Sequence, residues 1–206
     1  MVVRLMYNCL LEQFPTEYRG SAINTSFRVG IALTLLTEDT RFPEDIKLLK
    51  AFDLLYKDKV PDFETAFNGM MWFLSCGRSE IYYLEDELNE TNEKYLDFQF
   101  DSFDIYGAFL VAGVDLHKSN MHWFKFMAFL NNLGDCPLSQ KISYRATDTS
   151  KMKGDTKKYY IDLKSKFKIK TQVTKEERDA YLAEQKEKFG SYYYKLLGGK
   201  WLCFVL

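Results

Sequence analysis

The side chains able to do chemistry in this sequence are few, and their spacing argues against most chemistries. The two histidines, His117 and His122, stand five residues apart. A helix presents metal ligands together at i and i+4, so this pair does not make a zinc site of the HExxH type. Asp115 lies close enough in sequence to orient His117. No nucleophile accompanies them in a recognised motif, and a triad through Cys136 or a serine would need geometry that sequence does not encode. The four cysteines, Cys9, Cys76, Cys136 and Cys203, are scattered and form no CxxC pair, which excludes zinc-knuckle and thioredoxin-like readings. They fit a reducing cytosol. Gly198-Gly199-Lys200 lacks the upstream glycine and the following Ser or Thr of a phosphate loop. The expectation is a protein that is not an enzyme and that uses no cofactor and no metal.

Charge is the second source of chemistry. Glu80 to Asp104 holds nine acids and one base, Lys94, a net of −8; Lys151 to Lys170 holds eight lysines and two aspartates, a net of +6. The acidic run lacks the ordered spacing of a calcium loop. The basic run has Tyr159, Tyr160 and Phe167 among its lysines but no arginine to read bases or phosphates with a fork, so nucleic acid is not the expected partner. Such blocks read as solvated faces, or as surfaces that pair within the fold or head to tail between copies. With an overall charge of −1 and no apolar run near ~18 residues, a membrane is not expected either.

The elements that must position these groups read as mainly α. A small extended or hairpin element occupies the first 23 residues, with a turn at Tyr18-Arg19-Gly20-Ser21. Asn24, Thr25 and Ser26 offer N-caps for a helix with Phe27, Ile31 and Leu35 on one side. A second helix starts near Pro43, with Ile46, Leu49, Phe52 and Tyr56 inward. A third starts at Pro61, with Phe63, Phe67, Met70, Met71 and Leu74 on one side. Residues 80–97 read as an acidic linker. A helix from about Asp101 turns Ile105, Phe109 and Ala112 inward and stops at Gly113. Others follow over about Ser119 to Leu133, Pro137 to Tyr144, 154–168 and 174–197, the last with a capping box at Thr174 and Glu177. The expected architecture is a bundle of short helices. Its parts are an N-terminal bundle over 1–79, the linker, an aromatic helical part over 98–170, and an extension with an apolar tail over 171–206.

Aromatic residues make up 17% of the chain, including 17 Phe and 14 Tyr. That is enough ring surface to fill a core and leave some for an interface. In the segment from Met121 to Leu130, helical spacing puts Trp123, Phe126, Met127 and Leu130 on one face. His122, Lys125, Phe129 and Asn132 fall roughly opposite. Phe124 and Phe129 are therefore the rings expected to meet a partner.

These residues also carry a resemblance. Asp101, Ile105, Tyr106, Ala108 and Phe109, then Gly113-Val114-Asp115-Leu116, then His122, Trp123, Lys125 and Phe126, then Tyr144, Arg145 and Asp148 follow in order the pattern of the phage gene-product-fifteen family. Upstream, Ile23-Asn24-Thr25-Ser26-Phe27-Arg28 matches its I-N-T-D-F-R. The resemblance covers roughly residues 5–170. Ser26, Met121 and Phe124 depart from the usual Asp, Leu and Trp. The family is encoded in the tail-morphogenesis region of long-tailed phages of Gram-positive hosts. What the resemblance implies is a tail assembly chaperone that shields the tape-measure protein before tail tube subunits polymerise, self-associates, and is absent from the mature virion. The alternative is a structural virion protein of the tail or head–tail connection. Tyr106, His122, Phe124, Lys125, Phe129, Tyr144 and Arg145 form the candidate protein-interaction set.

Overall fold

The first element is a tight hairpin. Glu17–Tyr18 (β1) pairs antiparallel with Ser21–Ala22 (β2). Arg19 and Gly20 both take positive φ between them, at 47° and 82°, the backbone that a two-residue hairpin turn requires. The computed structural model describes residues 7–39, 41–78 and 94–170. The described residues up to Ile169 belong to one compact unit. The expected helix over 174–197, the apolar tail and most of the acidic linker lie outside the described residues.

Seven helices are present among the described residues. They are α1 (Phe27–Glu38), α2 (Glu44–Leu55), α3 (Phe63–Leu74), α4 (Ser102–Val111), α5 (Trp123–Leu130), α6 (Pro137–Ala146) and α7 (Gly154–Phe167). The fold is mainly α, as the sequence implies. Ser26 caps α1 by accepting from the Arg28 N–H, and Asp62 caps α3 by accepting from the Thr65 N–H. At Gly113, φ is +84°. The Val114 N–H reaches the Phe109 carbonyl and the Gly113 N–H the Leu110 carbonyl, the paired bonds that close a helix C-terminus.

The first three helices bury the expected Phe27, Phe52, Tyr56 and Met70, but otherwise turn other residues inward than their spacing suggests. On α1 the buried residues are Phe27, Val29, Gly30 and Leu33; Ile31 and Leu35 are only partly buried. The cause is the Trp123 ring, which lies so close to the α1 backbone that a Cβ at Gly30 would stand 2.2 Å from it. On α2, Lys47, Ala51, Phe52 and Leu55 are buried, whereas Ile46 and Leu49 face out. Lys47 buries its stem so that its ammonium donates to the Thr37 carbonyl at the end of α1 and to Glu44. On α3 the small side goes inward. Ala66, Gly69, Met70 and Phe73 are buried, and Phe63, Phe67 and Met71 are exposed. Tyr56 and Tyr18 occupy the space over Gly69.

The helix expected from about Ser119 begins only at Trp123. Met121 accepts from the Phe27 N–H and the Trp123 N–H donates to the Thr25 carbonyl, so this stretch is spent bridging to the start of α1. From there the rings assemble. Phe126 stacks on Phe27 and on Phe109, each at 5.0 Å, and lies 5.7 Å from Trp123. Trp123, Phe126 and Leu130 are buried as the spacing of α5 predicts. Ala112, expected inward, is exposed because α4 ends there.

Candidate functional site

Most of the polar residues singled out by type and spacing prove to be fasteners. Arg145 is the clearest. It is buried, and its partner is Asp101. The guanidinium grips both Asp101 oxygens at 2.7 and 2.8 Å, and donates also to the Tyr95 carbonyl at 2.8 Å and the Phe167 carbonyl at 2.6 Å. The planar fork suits a bidentate grip. It ties the start of α4 to α6 and to the end of α7. Asp148 accepts from Ser150, which holds its carboxyl below the usual range.

Arg28 works the same way, donating to the carbonyls of Leu116, His117 and Ser119. It thereby anchors the turn after α4 to the first turn of α1. Sequence reasoning quoted Arg28 as a motif residue without finding this role. His122 caps α5, with Nδ1 accepting from the Phe124 N–H at 3.0 Å and Nε2 lying 2.9 Å from the Pro15 carbonyl. These contacts select the neutral tautomer with the proton on Nε2. Burial lowers the His122 pKa. Asp115 orients His117 only through its backbone N–H and accepts also from the Tyr106 hydroxyl.

The rings expected at a surface divide. Phe124 is 4% exposed and packs against Tyr7, Trp72 and Phe73, so it belongs to the core. Its ring lies toward the end of α3, 5.6 Å from Trp72 and 6.1 Å from Phe73. Phe129 is half-buried against Phe109, and Tyr144 is half-buried against Phe167. Tyr106 is half-buried, and Lys125 is exposed. The acidic block also resolves in part. Asp97 pairs with Lys94, Asp101 with Arg145, and Asp104 with Lys141 at 2.6 Å. Burial pushes the Cys76 thiol up to about 11, which keeps it protonated and poorly nucleophilic. Among the described residues, no three His, Cys, Asp or Glu side chains gather as a metal site, and no helix is long and apolar enough to cross a membrane.

The feature that the fold leaves unexplained is the outer side of α4. Phe103 and Val111 are each 90% exposed, with Leu110 and Phe100 close to half-exposed between and beside them. Phe103, Gly107 and Val111 recur every four residues and share one face. A Cβ at Gly107 would meet nothing within 4 Å. The only charge on α4, Asp104, is turned aside to Lys141. Along one edge of this face opens a cavity of about 340 Å³, floored by Phe98, Ile105, Leu116 and Phe126, with Phe103 and Tyr106 among its lining. A helix apolar all round is ordinarily buried all round. Here the inner side carries Ile105, Ala108 and Phe109, and the outer side is apolar with nothing from the described fold to cover it. The exposed stripe on α3 is less continuous, since Glu64 and Asn68 flank Phe63 and Phe67. The sequence analysis names Tyr106, which lines the cavity beside this face, but not Phe103 or Val111.

A family model described as Bacteriophage Gp15 protein matches residues 10–169. No match is found among curated proteins or among solved structures.

Proposed function

Since this chain belongs to the bacteriophage Gp15 protein family, we propose that it is a tail-morphogenesis factor, a tail assembly chaperone that shields the tape-measure protein until tail tube subunits polymerise. The observation that carries this reading is the apolar outer face of α4 with its adjoining cavity. A tape-measure protein is a long helical chain whose apolar stripes lie open before the tube surrounds it. A helix-sized apolar face, free of charge and edged by a cavity for an anchoring side chain, is the kind of surface that receives such a stripe. Exposed apolar faces of this continuity mark partner sites.

On this reading the protein is not an enzyme. His122 is used as a cap, Cys76 is protonated, and Arg28, Asp101 and Arg145 hold the scaffold together. It acts in the host cytoplasm and leaves before the virion is complete. Co-expression with the tape-measure protein tests the proposal, with solubility of the long chain as the readout. Soluble complex is expected, together with absence of this chain from purified particles by mass spectrometry. An insoluble tape-measure protein would overturn the chaperone role. Many copies in mature particles would make it a structural part of the tail or head–tail connection.

A further inference from the structure

We propose that the outer face of α4 also pairs with the same face of a second copy, the two helices running antiparallel about a dyad near Gly107. This rests on reading that face as the partner-receiving surface, and it names the occupant while no other partner is present. Phe103 of one protomer then lies against Val111 of the partner subunit, and Val111 against Phe103 of the partner subunit. Gly107, with open space above it, allows the two helices to approach most closely at the dyad.

Three observations favour a second copy. The face is self-complementary in charge. Among the described residues outside the buried Asp101–Arg145 pair, the N-terminal end of α4 has three acids, Glu38, Asp97 and Asp104, against two lysines, Lys94 and Lys141. Around the C-terminal end stand Arg28 and Lys118 against Asp115. An antiparallel arrangement brings the net-negative end of each copy to the net-positive end of the other. It also opposes the helix dipoles. Lys118 is available for this, since its side chain is 87% exposed and lies 3.5 Å from Asp115.

The second observation is the absence of repulsion along the stripe, because Asp104 is bonded sideways to Lys141. The third is area. Phe103 and Val111, with the exposed halves of Leu110 and Phe100, together offer roughly 300–700 Å² per protomer, if large apolar side chains bury on the order of 100–250 Å² each when fully covered. The pair would bury about 1,000 Å², the lower limit for a specific interface. That suits a weak, reversible dimer. Such a dimer covers the face while the protein waits and releases it to a longer apolar helix.

Sedimentation of the full chain over about 1–300 µM tests this, with a monomer–dimer equilibrium in the micromolar range expected. Phe103→Asp and Val111→Lys should each weaken it at least about tenfold. The double variant, which sets Asp against Lys twice across the dyad, should recover to within about threefold of the parent. Circular dichroism should be unchanged in all three, because both positions are exposed. A parent that stays monomeric to about 300 µM, or a dimer indifferent to Phe103→Asp, overturns the pairing. A double variant no better than the singles overturns the antiparallel register. Failure here is separable from failure of the chaperone reading. A monomeric parent that still solubilises the tape-measure protein loses only the dimer. A dimer obeying these rules without solubilising it loses only the chaperone.

Discussion

Asp101 and Phe103 stand two residues apart at the start of α4, and the fold treats them oppositely. Asp101 is 1% exposed, with both carboxylate oxygens held by Arg145 and a further bond from the Asp97 N–H. Phe103 is a large apolar ring turned to solvent. The polar residue is inside and satisfied; the apolar residue is outside. The difference separates two tasks in one short helix. One side fastens α4 into the body through matched charges, and the other is held ready by that fastening. A burial rule applied residue by residue would have reversed the two assignments.

The largest effect should come from breaking the fastened side. Arg145→Ala leaves a buried carboxylate without its cation and should cost about 3–5 kcal/mol in urea denaturation. Asp101→Leu with Arg145→Met should cost less than either single change, since replacing both partners by apolar groups is often close to neutral. If the Arg145→Ala loss were under about 1 kcal/mol, the range of a surface pair, the node would not be what holds α4.

Gly30→Ala comes next. The added methyl collides with the Trp123 ring, and overpacking of this kind costs about 1–3 kcal/mol. An unchanged melting temperature would mean that α1 and α5 are further apart than described.

His122 gives a smaller, pH-dependent effect. Its folded-state pKa lies below the ordinary value because burial disfavours the imidazolium. The unfolded chain therefore takes up the proton first as pH falls. This contribution to stability is intact above about pH 6.5 and declines below it, until the folded form also protonates. His122→Asn keeps a capping acceptor and should flatten the difference in stability between pH 7.5 and 5. A slope equal to the parent's would assign it to other groups.

The smallest effect on stability should fall on the exposed side. Phe103→Asp should change stability by no more than about 0.5 kcal/mol, as surface substitutions do. A loss of several kcal/mol would put Phe103 in the core and dissolve the contrast.

Much of the scaffold is legible in the sequence. The hairpin turn at Arg19-Gly20, the Ser26 cap and the stop at Gly113 each follow from local backbone chemistry. The buried stripe of α5 follows from spacing. The stripes of α1, α2 and α3 do not, because a single-helix period cannot show where a neighbour comes close. Trp123 over Gly30, and the tyrosines over Gly69, bring those glycines to the inner sides of α1 and α3 and leave Phe63 facing out; on α2 the buried Lys47, bonded to the Thr37 carbonyl, stands inside while Ile46 and Leu49 face out. The Asp101–Arg145 pair spans 44 residues, beyond any local pattern.

The candidate face was hidden for a different reason. Phe103, Ile105, Phe109, Leu110 and Val111 make α4 apolar on nearly every side, so amphipathic spacing gives no contrast from which to pick an outer face. Phe124 and Phe129, on a helix with clear contrast, drew attention instead. The family motif covers this helix, but its residues there are mostly the inward ones, Ile105, Ala108 and Phe109, and not the outward ones.

The most direct test of the account is co-expression of the tape-measure protein with the parent chain, with Phe103→Asp, and with Lys125→Ala as a surface control on α5. The account predicts that the parent and Lys125→Ala keep the long chain soluble, while Phe103→Asp, equally well folded, lets it precipitate. A Phe103→Asp protein that solubilises the tape-measure protein as fully as the parent would contradict the claim that the outer face of α4 is the working surface.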